Sequence, residues 1–332
     1  MLTDSFNRRL DYLRVSVTDK CNLRCVYCMP PGGVEFLPHD EVLRIEEFAR
    51  LIGIFARLGV RKVRFTGGEP LVRRGFMGIV EETSRSHPHL ELCLTTNGIL
   101  LDEALDDLER HGVRKLNISL DTLSAERYRA ITGRDEFDRV ISNITHAIER
   151  RFFDVKINIV LHEGSLDELG EFIEFFAGKN VTLRFIERMP FGDEYETSRF
   201  VPSDRLVEHL GSMGNLVRSG DNDTNVAMMY DLSGRFGRIG IGVIPPMTHK
   251  FCSRCNRLRL TCDGMLKTCL HSAVEYDLKT VLRLSDDDDP LEAIIMDAVS
   301  AKPEAHRLAN PLEAGDGCMA IVRNRRMSRT GG

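Results

Sequence analysis

From residue 13 to residue 188 the chain alternates two patterns. In short stretches every second residue is apolar, the mark of a strand with one buried face. In longer stretches apolar residues recur every three or four positions, the mark of an amphipathic helix. The predicted strands are Leu13–Val17, Lys62–Gly67, Leu90–Asn97, Lys115–Asp121, Val155–Leu161 and Thr182–Arg188. The predicted helices are 41–59, 76–87, 102–112, 138–151 and 166–179. Two of them run into Gly59 and Gly112, as helix C-termini often do. Strand–helix units in series predict a parallel sheet. Eight such units would close a barrel. Six predict an α/β fold built as a partial, open (βα)6 TIM-like barrel.

Side chains alternate across a strand. In every predicted strand one face is apolar, as in Leu13, Val15 and Val17, and the other is polar. The polar faces carry Arg14 and Ser16, then Lys62, Arg64 and Thr66, then Cys93, Thr95 and Asn97. They continue with Asn117, Ser119 and Asp121, with Lys156 and Asn158, and with Thr182 and Arg184. A filled barrel would carry branched apolar residues there. Strands of a βα sheet are normally covered on both faces, which argues against simple exposure. The polar face therefore predicts an open lumen. Arg14, Lys62, Arg64, Lys156 and Arg184 converging in it suit a highly anionic ligand such as a triphosphate.

Past residue 225 the texture changes. Residues 226–246 read as a glycine-turned hairpin, a cysteine-rich segment follows, and helices are expected at Asp277–Leu284 and Leu291–Lys302. This predicts two domains, the barrel over 1–225 and a small C-terminal α+β domain over 226–332. The acidic run Ser285–Pro290 reads as a solvated loop before a helix.

Composition adds limits. The 332 residues are 42% hydrophobic and 29% charged with net charge −5, an ordinary soluble balance without the basic excess of a nucleic-acid-binding domain. The N-terminus lacks the apolar core of a secretory signal, and no apolar run is long enough to span a bilayer. A cytoplasmic protein, bound to neither nucleic acid nor membrane, is expected. The nine cysteines are odd in number and clustered, which points to metal ligation rather than disulfides. Cys93 and Cys318 stand alone and read as buried small residues.

"CNLRCVYC" brings Cys21, Cys25 and Cys28 together just past the first strand. That is the end of a βα barrel where active sites are built. The spacing does not suit a zinc knuckle, and no fourth ligand is near. Three ligands leave one position open. The second group, Cys252, Cys255, Cys262 and Cys269, taken alone reads equally as a four-cysteine zinc site or an iron–sulfur site.

CxxxCxxC after the first strand, with Tyr27 before the third cysteine, followed by Gly67–Pro70 ("GGEP") after the second strand, resembles the signature of radical S-adenosylmethionine enzymes. "CSRCNRLR" with Cys269 fourteen positions after Cys255 resembles the C-terminal motif of the GTP 3′,8-cyclase family of molybdenum-cofactor biosynthesis. So do the blocks "LTTNG", "LNISLDTL", "VKINIV", "RFIERM" and the terminal "GG", in order along nearly the whole chain.

The resemblance implies two [4Fe–4S] clusters, one on Cys21, Cys25 and Cys28 and one on Cys252, Cys255 and Cys269. Cys262 falls outside the pattern and is read as a spare thiol, the alternative being an extra ligand that closes the second site. It implies S-adenosylmethionine contacts at Tyr27, Gly68, Ser119 and Met189. GTP contacts are implied at Arg14, Arg64, Thr95, Lys156, Arg257, Leu258 and Arg259. Catalytic roles fall on Arg257, Arg259 and the double-glycine tail Gly331 and Gly332. The implied reaction uses a 5′-deoxyadenosyl radical to cyclise GTP to 3′,8-cyclo-7,8-dihydro-GTP. The implied partners are GTP as substrate, an external electron donor and, downstream, cyclic pyranopterin monophosphate synthase, with a homodimer as the candidate assembly. Two rival readings are a radical enzyme that modifies a peptide and a zinc-stabilised binding protein.

Overall fold

A computed structural model describes residues 1–29, 33–190, 200–220, 226–308 and 330. Six strands follow the expected order: β1 (Tyr12–Ser16), β2 (Lys62–Thr66), β3 (Glu91–Thr96), β4 (Lys115–Ser119), β5 (Asp154–Val160) and β6 (Val181–Ile186). Each pairs with the next in parallel. Helices α1 (Ile45–Arg57), α2 (Phe76–Ser86), α3 (Leu101–Arg110), α4 (Ala125–Thr132), α5 (Phe137–Glu149) and α6 (Leu169–Phe176) connect them, and α7 (Ser203–Met213) follows β6. α4 and α7 go beyond the sequence prediction. Ser124 caps α4 by accepting the Arg127 N–H, and α4 buries only Tyr128 and Thr132 and α7 only Ser203, Leu206 and Leu210.

The C-terminal segment does more than append a unit. After β7 (Asn215–Arg218), β8 (Met228–Gly234) and β9 (Gly237–Ile244) form the expected hairpin, and β9 joins β6 in parallel. β10 (Arg257–Leu260) then returns to the other edge and pairs with β1 in parallel. β11 (Met265–Lys267) and β12 (Tyr276–Asp277) extend that edge antiparallel. The sheet order is β12-β11-β10-β1-β2-β3-β4-β5-β6-β9-β8-β7, with no pairing between the two ends among the described residues. It is an open, partial TIM-like barrel with C-terminal strands on both edges.

The apolar strand faces pack outward on the helices. Leu13, Val15, Val63, Phe65, Leu94, Leu116, Ile157, Leu183, Ile241, Leu258 and Leu260 are all fully buried. α8 (Leu278–Leu284) and α9 (Asp289–Ser300) pack beside β11. The acidic run is only partly a solvated loop. Asp288 takes Arg50 at 2.8 Å and Arg57 at 2.6 Å, both on α1, and so docks α9. Among the described residues, no helix is long and apolar enough to cross a membrane.

Candidate active site

The polar strand faces enclose a cavity of about 930 Å3. Cys21, Cys25 and Cys28 line its rim on the loop after β1. Two contacts hold that loop to the C-terminal end of α4, Arg24 N–H to the Thr132 carbonyl at 2.8 Å and Val26 N–H to the Ile131 carbonyl at 3.0 Å. A third ties it to the end of β4, where the Tyr27 hydroxyl donates to Asp121 at 2.6 Å. Asp121 also accepts the Val160 N–H at 2.8 Å. The thiols sit in an apolar, anionic setting. Burial, then Cys21 and Asp121, push Cys28 up to about 12. Burial, then Cys28, Asp121 and Cys21, raise Cys25 well above its usual value.

The "GGEP" stretch braces this loop. Gly68 N–H donates to the Thr18 carbonyl at 2.7 Å, and Glu69 N–H to the Lys20 carbonyl at 2.8 Å. A Cβ on Gly68 would lie 2.2 Å from the Lys20 carbonyl oxygen, and one on Gly67, at φ +151°, 2.5 Å from that of Thr18. Only glycine admits so close a backbone approach. The Glu69 carboxylate is buried and accepts the Asn97 N–H at 2.7 Å, the Thr96 hydroxyl at 2.8 Å and the Leu71 N–H at 3.2 Å. Burial outweighs these bonds and raises its pKa to about 7. Asn97 continues the chain of contacts, with its amide 2.7 Å from Asn22 and 3.8 Å from the Cys21 sulfur.

These features fit an iron–sulfur cluster. The Leu23 N–H, at 3.4 Å, and the Asn97 amide both aim donors at the Cys21 sulfur, and hydrogen bonds to ligating sulfurs are a feature of such sites. A [4Fe–4S] cluster takes each thiolate on a different iron.

Deeper in the cavity lie the cations. Arg14 is the register partner of both Arg64 on β2 and Arg259 on β10, so three buried arginines stand side by side across three strands. Arg184 reaches in from β6, facing Gly242 of β9. A Cβ on Gly242 would lie 3.2 Å from the Arg184 side chain, so the glycine makes room for it. Burial, then Arg64, Arg14 and Arg257, pull the Arg184 pKa down to about 10 despite Tyr12. Lys62 and Lys156 are partly neutralised by Glu91 at 2.6 Å and Asp154 at 2.7 Å. Arg184 Nε, Thr95 Oγ1, Asn117 Oδ1 and Asn158 Oδ1 are buried in the cavity wall without a hydrogen-bond partner among the described residues. Buried polar groups are normally paired, so these atoms suit a polar ligand, and the buried arginines suit one that carries negative charge.

The second cysteine group shares the cavity. Cys252, Cys255 and Cys269 line it with Arg257 and Arg259. Here cations surround the sulfur. Burial alone would raise Cys255, but Arg257 and Lys302 hold it at about 6. Lys302 is buried, donates to the carbonyls of Arg257 (3.0 Å) and Thr268, and lies 4.0 Å from the Cys255 sulfur. Arg8 anchors the loop from outside, donating to the Cys252 and Glu304 carbonyls, both at 2.7 Å. Cys262 is fully buried in the apolar core and is not among the described residues that line the cavity.

Of the residues expected from sequence, the structure brings Tyr27, Gly68, Ser119, Met189, Arg14, Arg64, Thr95, Lys156, Arg257 and Arg259 to this one cavity, with Lys62 and Arg184. Leu258 turns its side chain into the core beside Leu13, leaving its backbone towards the neighbouring strand. Gly331, Gly332 and Cys318 lie outside the described residues. Sequence reasoning missed Tyr12, which has the parity of Arg14 and needed only one more residue of strand. It also missed Lys302 and Arg8, whose parts depend on contacts distant in sequence.

Comparison with known proteins agrees with this architecture. Residues 15–176 match the Radical SAM superfamily and residues 181–308 match Molybdenum Cofactor Synthesis C. The GTP 3′,8-cyclase of Heliobacterium modesticaldum is 41% identical over 338 residues, covering 100% of both chains. That of Pseudomonas syringae pv. syringae is 40% identical over 337 residues, covering 100% of this chain and 99% of the relative. Among solved structures, Streptococcus suis SuiB bound to S-adenosylmethionine has the same fold, with TM-score 0.59 and 16% identity over 87% of this chain and 68% of SuiB. The chain therefore belongs to the GTP 3′,8-cyclase family of radical S-adenosylmethionine enzymes, whose membership implies a [4Fe–4S] cluster and S-adenosylmethionine.

Proposed function

We propose that this chain converts GTP to (8S)-3′,8-cyclo-7,8-dihydroguanosine 5′-triphosphate, the first step of molybdenum-cofactor biosynthesis. The observation that carries the reading is the shared cavity, which sets two three-cysteine groups and a row of buried arginines around one space. When bound, the cluster and S-adenosylmethionine supply a carbon radical by reductive cleavage of the sulfonium, able to remove a hydrogen atom from substrate.

The residues do the rest by placement and exclusion of water. Cys21, Cys25 and Cys28 hold the first cluster, with Tyr27, Gly68, Ser119 and Met189 around S-adenosylmethionine. Arg14, Arg64, Thr95 and Lys156 hold the triphosphate end of GTP. Arg257, Arg259 and the Leu258 backbone hold the guanine end, so that ribose C3′ and guanine C8 lie within bonding reach. Cys252, Cys255 and Cys269, which line the same cavity, would hold a second [4Fe–4S] cluster, and three thiolates would leave it able to take a substrate ligand. The core position of Cys262 supports leaving it out.

The reading includes catalytic roles for Arg257, Arg259, Gly331 and Gly332, and a division of labour between 1–225 and 226–332. It includes a cytoplasmic location, an external electron donor and a downstream cyclic pyranopterin monophosphate synthase. Anaerobic reconstitution tests it. The expected result is two clusters' worth of iron and sulfide per chain, with 5′-deoxyadenosine and a cyclised nucleotide formed only when GTP is present. A fully loaded, reduced protein that cleaves S-adenosylmethionine with a peptide and not with GTP would overturn it.

A further inference from the structure

Tyr12 stands at the start of β1 with its ring in the cavity wall. Its hydroxyl oxygen accepts Arg64 Nε at 2.8 Å and lies 3.4 Å from Arg14 Nη1. Lys62 Nζ sits 5.2 Å from the ring centre. Arg64 spends its other bonded nitrogen on the Leu94 carbonyl at 2.7 Å. Nε and Nη1 together fix the plane of the Arg64 guanidinium. Arg14 and Arg64 are buried like charges in direct register, and such a pair needs an acceptor between them to hold one geometry. The phenol oxygen is one acceptor set between them.

We propose that Tyr12 is a positioning residue for the substrate triphosphate, its phenol oxygen holding Arg64 and Arg14 in the orientation that receives the phosphate oxygens. The inference rests on the reading that these arginines bind the triphosphate. It adds a residue to that site and a proton to its binding equilibrium. The groups facing the phenol are Arg14 on its own strand, Lys62 and Arg64 on β2, and Glu91 and Cys93 on β3. Arg184 on β6 also interacts with the phenol, and Arg257 on β10 is the register partner of Tyr12. Burial alone would raise the phenol, but Arg64, Arg14 and Lys62 draw it down to about 8. As a neutral phenol it orients the guanidiniums. As a phenolate it competes with phosphate for them. An anionic ligand raises the phenol's pKa, so binding favours the protonated form, and affinity falls as pH rises through the free value.

The test is calorimetric GTP binding to anaerobically reconstituted protein at pH 7.0 and 8.5, for wild type, Tyr12→Phe and Arg64→Ala. Tyr12→Phe keeps the ring, and iron content and S-adenosylmethionine affinity report that the fold and first site survive. At pH 7.0 it is expected to raise the Kd for GTP about tenfold, the size of one lost charge-assisted hydrogen bond. Between the two pH values wild type is expected to lose several-fold more affinity than Tyr12→Phe. Full retention of affinity and an unchanged pH slope in Tyr12→Phe, with binding lost in Arg64→Ala, would overturn the inference and leave the triphosphate reading standing. Unchanged binding in Arg64→Ala would overturn both.

Discussion

The backbone N–H of Asn97 donates to the Glu69 carboxylate at 2.7 Å, joining the loops after β3 and β2 beneath the first cysteine group. Three donors meet Glu69, yet burial still raises its pKa to about 7. A carboxyl with a raised folded-state pKa contributes stability that is fully present below its unfolded value near 4.5 and is lost as pH rises through about 7. The window corresponds to about 3 kcal/mol. In cluster-free protein, denaturant midpoints of wild type are expected to fall between pH 5 and 7.5 relative to Glu69→Gln. The amide cannot titrate, but it sets a donor against the Asn97 N–H and starts out less stable by about 1–3 kcal/mol. Parallel pH curves for the two proteins would refute the assignment.

Gly68→Ala is expected to displace the cysteine loop. Its Cβ meets the backbone of Lys20 and Asp19, at 2.2 Å and 2.8 Å from their oxygens, with no flexible side chain to yield. The loop must move away from β2, spreading the three thiols. Iron per chain after reconstitution should drop by about half if only the first cluster is lost. The denaturation midpoint of the cluster-free protein should fall by roughly 1–3 kcal/mol. Full iron loading in the variant would show that the close approach does not hold the loop.

Strand parity made much of this site legible. Arg14, Arg64, Thr95 and Lys156 each lie on the polar face of an alternating strand, and a period-two pattern specifies its face once one side is buried. The pattern could not reveal that β10 comes back to β1, since that pairing joins Tyr12 to Arg257, two residues far apart in sequence. Nor could it predict β9 as a barrel strand. Its cavity-side positions Gly240 and Gly242 face Thr182 and Arg184 and carry no side chain to announce a face. Lys62 and Asp288 show a second limit. Each reads as a free charge in sequence, and each is engaged by a partner from another element, Glu91 and Arg50. Such pairs form only after the fold has brought the elements together.

The two cysteine groups are set in opposite electrostatic surroundings, and this has a measurable consequence. Cys28 is driven up to about 12 by burial, then Cys21 and Asp121. Cys255 is held at about 6, because Arg257 and Lys302 outweigh burial. In cluster-free protein at pH 7.5, Cys255 should be alkylated by iodoacetamide far faster than Cys28. Lys302→Met removes one of the two cations and should move the pH midpoint of Cys255 alkylation upward, read by mass spectrometry of its peptide. An unmoved midpoint would mean that Arg257 alone sets the thiolate.

Cys262 offers the sharpest separation between a ligand and a bystander. It lies only seven residues from both Cys255 and Cys269 in sequence. Nevertheless it packs in the apolar core at 0% exposure, and its carbonyl accepts the Leu43 N–H at 2.8 Å. Reaching the cavity would require it to leave that core and invert its side of the strand end. Cys262→Ala should therefore keep the wild-type iron and sulfide content, at a stability cost of about 1 kcal/mol for the lost sulfur packing. Cys269→Ala should lose about half the iron. If Cys262→Ala instead loses as much iron as Cys269→Ala, the second site is a closed four-thiolate site. No iron would then be open to substrate, and the guanine end of GTP would be held by Arg257 and Arg259 without the metal.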